Sequence, residues 1–100
     1  MFDAKIEKDD NIQKVELKGD LDVYSEDEFK KFIDEEIKTD QDVVFDLSSL
    51  DYLDSTGLGM FMNVYKNQQA NDKKVKIINA KDNIVKLFKI TDLTGLFDME

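Results

Sequence analysis

The chain has 100 residues, of which 41% are hydrophobic and 37% charged, and this composition predicts one globular domain over residues 1–100. Histidine and cysteine are both absent, which excludes Ser-His-Asp and Cys-His nucleophilic sites and the usual nitrogen and sulfur zinc sites. The net charge of −9 and the absence of arginine make nucleic acid a poor partner, because phosphate binding requires a basic surface.

Acidic residues are unevenly distributed along the chain. Residues 1–56 contain eighteen acids and seven lysines, whereas residues 57–100 contain five acids and seven lysines. An acidic surface indicates a protein partner with a basic one; the alternative interpretation is that the acids only keep the domain soluble. We expect no enzymatic activity, no cofactor and no metal site. No run is apolar enough to span a bilayer, and Met1–Lys5 lacks a signal-peptide pattern, so we expect a cytoplasmic protein without membrane contact.

The first part of the chain predicts a β-hairpin followed by a helix. Apolar and polar residues alternate in Phe2–Ile6 and again in Val15–Leu21, and Asp9–Asn11 between these stretches favours a turn. Ser25–Glu28 then has the pattern of a capping box at the start of a helix. The predicted hydrophobic staple consists of Tyr24 and Phe29, and the predicted buried face of Phe29, Phe32, Ile33 and Ile37.

The middle of the chain predicts a buried strand and a second helix. Val43–Leu47 is apolar enough to form a central strand that is covered on both faces. The helix follows from Ser55 and ends at Asn71-Asp72. Its predicted buried stripe contains Leu58, Phe61, Met62 and Tyr65, which places Met60 off the stripe.

The last third of the chain predicts one further strand, a helix and a short final strand. Val75–Ile78 supplies the strand, the helix begins near Asp82, and Leu96–Met99 is expected to add the final strand. The inward residues of this helix are predicted to be Ile84, Leu87 and Phe88. The order of the elements points to a mixed α/β (α+β) fold, with a mixed sheet of four to five strands and helices packed on it.

The segment Leu53–Gly59 lies where the predicted central strand ends and the second helix begins. A serine at that position, here Ser55, lies beside the unpaired N–H groups of a helix N-terminus, where the helix dipole favours negative charge. Ser55 is therefore either a plain N-cap or a group that receives a phosphate. Gly57 and Gly59 either allow a partner to approach that hydroxyl closely or allow the helix to pack tightly on the sheet.

Three segments in order resemble one family of bacterial regulators. Gly19–Ser25, Asp51–Gly59 and Leu87–Thr91 are similar to the anti-sigma factor antagonists, also called anti-anti-sigma factors, which are single STAS domains. The combination of Asp-Val-Tyr-Ser with Asp-Ser-Thr-Gly-Leu-Gly most resembles the general-stress branch. Two features depart from the family pattern: the chain ends at Glu100, where relatives usually continue for another short helix, and Asn71-Asp72 replaces a usual glycine pair.

The resemblance implies a specific regulatory cycle. Such a protein binds an anti-sigma factor that is also an ATP-dependent serine kinase, and so frees the sigma factor. The kinase phosphorylates the serine that matches Ser55 and inactivates the antagonist, and a serine phosphatase restores it. We expect the free protein to be a monomer. The residues expected at the partner-binding surface are Asp22, Asp54, Thr56, Gly57, Leu58 and Met60.

Alternatives remain for several of these residues. Thr56 is a second possible phosphate acceptor beside Ser55. Asp54 either favours the helix dipole or orients Ser55 and helps the kinase to hold a metal ion. Asp22 is either a turn residue or a partner contact. At the level of function, the alternative is a STAS domain that serves as an unphosphorylated scaffold in a signalling assembly.

Overall fold

The computed structural model describes all residues from 1 to 100 and contains four strands and four helices. The elements are β1 (Asp3–Lys8), β2 (Ile12–Leu21), α1 (Glu26–Glu36), β3 (Asp42–Leu53), α2 (Ser55–Gln69), β4 (Val75–Ile78), α3 (Asp82–Ile90) and α4 (Thr94–Phe97). The mixed α/β fold and the predicted order of elements through α3 are confirmed, and the short helix α4 takes the place of the predicted final strand. None of the helices combines the length and hydropathy needed to cross a bilayer.

The four strands form one mixed sheet in the order β1-β2-β3-β4. The β1–β2 pair is the predicted antiparallel hairpin, and the Asp9 carboxylate accepts from the backbone N–H groups of Asn11 and Ile12, both at 2.9 Å, in its turn. The pairs β2–β3 and β3–β4 are parallel. Because parallel strands end at the same edge of a sheet, the paired residues Leu21 and Leu53 bring the ends of β2 and β3 together.

Strand β3 is central but buries only one of its faces. Val43, Phe45 and Leu47 are fully buried, whereas Asp46 lies on the opposite face and forms an ion pair with Lys14 at 3.8 Å. The prediction of a strand covered on both faces is therefore wrong. The apolar run is interrupted by Asp46, whose charge requires water or a partner, and burial alternates from Asp42 to Leu47 as in a strand with one buried face.

Helix α2 is fixed on the sheet by an aromatic cluster. The Phe61 ring centroid lies 5.0 Å from that of Phe45 on β3, 5.8 Å from that of Phe88 on α3 and 6.3 Å from that of Phe97. All four rings are fully buried. Edge-to-face contacts of this kind add to the burial of area, so the helix that carries Ser55 has a defined position.

The start of α1 differs from the predicted capping box. The Ser25 hydroxyl makes no bond to the helix; it accepts from the backbone N–H of Asp22 at 2.9 Å and donates to the carbonyl of Asp20 at 2.9 Å. The hydrophobic staple is also absent, because the Tyr24 side chain is 94% exposed. Ser25 therefore fastens the preceding loop to β2 instead of capping α1. The buried face is largely as predicted, with Phe29 and Ile33 inside.

The end of the chain forms a helical turn where a strand was predicted. Residues Thr94–Phe97 are helical, and Phe97 is fully buried. A β-type contact occurs only at Met99, which bridges Ile77, and Glu100 N–H donates to the Ile77 carbonyl at 2.9 Å. The helical turn allows the Phe97 ring to be buried in the aromatic cluster better than a continuous strand would.

Candidate functional site

Ser55 is the first residue of α2, and its side chain is exposed. The N-cap is the preceding residue, Asp54, whose carboxylate accepts from the N–H of Gly57 at 3.1 Å. None of the chain's hydrogen bonds uses the Ser55 hydroxyl. The interpretation of Ser55 as a plain N-cap is therefore wrong, and its hydroxyl is free to react or to contact a partner.

The first turn of α2 leaves two backbone donors beside this hydroxyl. The N–H of Gly57 is bonded to the Asp54 carboxylate, and the N–H of Leu58 donates to the Asp54 carbonyl at 2.9 Å. The N–H groups of Ser55 and Thr56 have no acceptor within the chain. Together with the dipole of a helix of 15 residues, they give the site a partial positive charge.

The two glycines of the first turns have different environments. A Cβ atom added to Gly57 would lie 2.4 Å from Leu53 Cδ1 and 2.8 Å from the carbonyl oxygen of Leu21. A Cβ atom added to Gly59 would meet no atom within 4 Å. Gly57 therefore allows α2 to approach β2 and β3 closely, whereas Gly59 leaves open surface near Ser55.

The loop between β2 and α1 lies against the start of α2. The Asp22 carboxylate accepts from the N–H groups of Tyr24 at 3.0 Å and Ser25 at 3.2 Å, so it stabilises the turn of this loop. The N–H of Asp54 donates to the carbonyl of Leu21 at 3.4 Å, which joins the two segments. Asp22 and Asp54 each stabilise a turn at the carboxyl ends of the neighbouring strands β2 and β3.

Three exposed apolar side chains lie in the loop between β2 and α1 or at the end of β3, and the sequence prediction missed them. Val23 is 59% exposed, Tyr24 94% and Tyr52 49%, although each is of a type that is usually buried at least in part. The sequence predicts a hydrophobic staple between Tyr24 and Phe29, because Tyr24 precedes a capping-box pattern. The signal that could have identified the exposure of Tyr24 is the position of two tyrosines near the ends of neighbouring parallel strands, each within two residues of an aspartate.

Met60 and Leu58 lie inside the protein and not on its surface. Met60 is only 4% exposed and Leu58 7%, and the buried stripe of α2 continues through Phe61, Val64 and Gln68. The prediction that Met60 lies off the stripe is wrong. The stripe is rotated relative to the predicted one, because the close approach at Gly57 turns that side of the first turn toward the sheet.

Helix α3 also contacts the segment that precedes Ser55. Lys81 forms an ion pair with Asp51, and the Asn83 side chain donates to the carbonyl of Asp51 at 3.1 Å. The Lys81 ammonium, which hydrogen-bonds the carboxylate, holds the pKa of Asp51 below its usual range. No pattern in the sequence indicates this pairing, since the two residues are thirty positions apart. No group of three or more acidic residues is placed to hold a metal ion.

Comparisons with known proteins identify the family of this chain. The STAS domain family matches residues 3–100. The anti-sigma-B factor antagonist of Staphylococcus aureus is 36% identical over 89 residues, which cover 87% of this chain and 82% of that protein.

Two solved structures show the same fold. A putative anti-sigma factor antagonist from Thermotoga maritima has a TM-score of 0.86 at 16% identity and covers 95% of this chain and 83% of its own. The unphosphorylated form of the Bacillus antagonist SpoIIAA has a TM-score of 0.78 at 16% identity and covers 98% of this chain and 88% of its own. The match of the family, together with 36% identity to a sigma-B antagonist over most of both chains, shows that this chain is a STAS domain of the anti-sigma factor antagonist family.

Proposed function

We propose that the unphosphorylated protein binds an anti-sigma factor that is also a serine kinase, and so releases the sigma factor. Phosphorylation of Ser55 ends this binding, and a serine phosphatase restores it. The observation that carries the proposal is the free, exposed hydroxyl of Ser55 beside a cap that Asp54 supplies. A serine that capped the helix would have to give up its capping bond before reaction, whereas Ser55 has none to lose.

Ser55 is better placed than Thr56 to accept the phosphate. Ser55 is exposed, whereas Thr56 is half-buried. The open surface at Gly59 gives a kinase and its nucleotide room to approach the first turn. Asp54 is engaged with the N–H of Gly57 through one carboxylate oxygen, so its remaining oxygen is the one that can face a metal ion held by the kinase.

The proposed partner surface combines polar and apolar groups at the carboxyl ends of β2 and β3. Asp22, Asp54 and Thr56 supply its polar part. The exposed side chains of Val23 and Tyr24 add apolar area that a partner can bury.

The other three residues expected at this surface have a supporting role in the proposal. Gly57, Leu58 and Met60 are buried, so they hold α2 against the sheet from beneath and do not themselves meet the partner. Their substitution would act on the position of Ser55, and only through that position on binding.

The switch follows from the charge that phosphorylation adds. A phosphate brings about two negative charges at neutral pH, and the free N–H groups of Ser55 and Thr56 can receive its oxygens, so the fold tolerates it. At the partner interface the same group has to be buried close to the Asp54 carboxylate. An unpaired buried charge costs several kcal/mol, and about 1.4 kcal/mol already lowers affinity tenfold.

The test is intact-mass spectrometry of the purified chain after incubation with ATP and an anti-sigma kinase from the same source. We expect one added phosphate, mapped by fragmentation to Ser55, which is lost in Ser55→Ala and retained in the matched control Thr56→Ala. If ATP still releases the Ser55→Ala variant from the kinase and the released chain carries no phosphate, this result would contradict the assignment of Ser55 as the phosphate acceptor. Binding without any added mass would favour an unphosphorylated scaffold.

A further inference from the structure

The sheet has one open edge, and it is formed by β1. Strand β1 pairs only with β2. The opposite edge, at β4, is closed by the end of the chain, where Met99 bridges Ile77 and the N–H of Asn79 donates to the carbonyl of Glu100 at 3.2 Å. The residues of β1 form six consecutive pairs with β2 without a bulge, so its outer side is a regular edge. Such an edge presents unpaired backbone groups that can accept another strand.

A groove with an apolar floor runs beside this edge. It lies between β1 and α1, has a volume of about 420 Å³, and is floored by Phe2, Ala4, Ile6 and Phe32. Ala4, Ile6 and Phe32 are only partly buried, so they leave apolar surface for an occupant. Residues on one side of an added strand would meet this floor, because alternate side chains of a strand point to the same face.

The wall of the groove is acidic. It is formed by Glu28, Glu35 and Glu36 of α1, with Lys31 as the only basic residue. A second copy of this chain is a poor occupant, because antiparallel pairing of two β1 strands would bring the same glutamates of both copies together. An extended segment that alternates apolar with lysine or arginine residues complements both the floor and the wall.

We propose that the groove between β1 and α1 binds an extended basic segment of a partner protein, which adds to the sheet as a strand beside β1. Backbone hydrogen bonds to the β1 edge supply affinity, and the apolar floor and acidic wall supply specificity. The groove shares no residue with the surface around Ser55. The two surfaces can therefore be occupied together, and this second surface does not depend on the proposed function of Ser55.

The test uses a capped synthetic peptide in which lysine alternates with valine, matched in length to the six residues of β1. Binding is followed by titration and by the backbone amide shifts of the isotope-labelled chain. We expect the largest shift changes in Asp3–Lys8 and along the groove side of α1. A peptide with the lysines and valines in two separate blocks should bind at least about tenfold more weakly, because it cannot present apolar residues on one face only.

Two double variants of equal net charge separate groove binding from general attraction to an acidic protein. Glu28→Lys with Glu35→Lys changes the groove wall, whereas Asp27→Lys with Asp34→Lys changes exposed residues of the same helix outside it. We expect at least about tenfold weaker binding for the first variant and less than about twofold for the second. Equal loss in both variants, or shift changes centred on Ser55 or β4, would overturn the proposal. Concentration-dependent dimerisation through β1 without peptide would overturn it as well, because the occupant would then be a second copy.

Discussion

Asp54 and Ser55 are adjacent, and both are residue types that favour the N-cap position of a helix. The sequence interpretation considered only Ser55 as the cap, although the capping preferences of the two residue types are nearly equal. In the structure the Asp54 carboxylate reaches the N–H of Gly57, and Ser55 is moved one position into the helix with its hydroxyl unbonded. The residue that stabilises the helix and the residue offered to a kinase are therefore different ones.

Substitutions at these two positions should separate the two roles. Asp54→Ala removes the cap and should lower the free energy of unfolding by about 1 kcal/mol. Ser55→Ala removes only an unbonded, exposed hydroxyl and should change it by less than about 0.5 kcal/mol. Urea unfolding of both variants measures the difference, with Asp54→Asn as the control that keeps a capping side chain. An equal loss in the two alanine variants would mean that Ser55 shares the capping role.

At the scale of elements, α2 meets the sheet at Gly57 and at the aromatic ring of Phe61. Gly57→Ala would place a methyl group 2.4 Å from Leu53 Cδ1 and 2.8 Å from the Leu21 carbonyl, so we expect it to destabilise the fold by about 1–3 kcal/mol. Gly59→Ala is the matched control, because its Cβ meets open space. It should stabilise the protein by up to about 1 kcal/mol through helix propensity.

The melting midpoints of these two glycine variants provide the measurement. A shift in the same direction for both would show that packing at Gly57 does not set the distance between α2 and the sheet. The Gly57 variant should also be phosphorylated more slowly, because its helix has to move away from the Leu21 carbonyl and so carries Ser55 with it. The Gly59 variant tests the open surface by itself, since a slower reaction with an unchanged fold would place the kinase directly over that position.

Periodicity in the sequence predicted the type and order of the main elements correctly. The hairpin, the three longer helices and β4 all carry regular apolar spacing, and the structure contains each of them. The errors in the prediction occur where tertiary contacts determine the local structure. Phe97 joins an aromatic cluster and turns the predicted final strand into α4. The Ser25 hydroxyl bonds to the backbone of Asp20 in β2 and of Asp22, a pairing that local sequence does not reveal, and Tyr24 lies exposed at the surface.

At the scale of the whole molecule, the parallel pairing of β2 with β3 gathers the candidate site from distant parts of the chain. The Asp22 loop and the Ser55 turn follow the paired strands β2 and β3. Lys81 lies at the same end of these strands, where it forms an ion pair with Asp51. The motifs predicted that Asp22, Asp54 and Ser55 lie where these two strands end. They did not predict that Val23 and Tyr24 are exposed there, nor that Met60 is buried. The acidic excess of the first 56 residues includes the glutamates that form the wall of the β1 groove, and this wall suits a basic partner.

Charge at Ser55 should control partner binding without affecting the fold. Ser55→Asp places a carboxylate at the first turn of α2, where the helix dipole favours it, so the melting temperature should be unchanged or slightly higher. Binding to the anti-sigma partner should weaken at least about tenfold, because the added charge is buried near Asp54. Ser55→Asn has nearly the same size without the charge and serves as the control. Calorimetric titration of both variants distinguishes charge from bulk: equal weakening would make size the cause.

The salt dependence of that loss identifies its physical origin. Repulsion across solvent is screened within about 8 Å at physiological ionic strength, so a long-range effect would fade as salt is added. The cost of burying an unpaired carboxylate is hardly screened, because it comes from lost hydration. We expect the weakening in Ser55→Asp to persist at high salt. Recovery of binding there would place Ser55 at the rim of the interface, and the switch would then act on the rate of association more than on the stability of the complex.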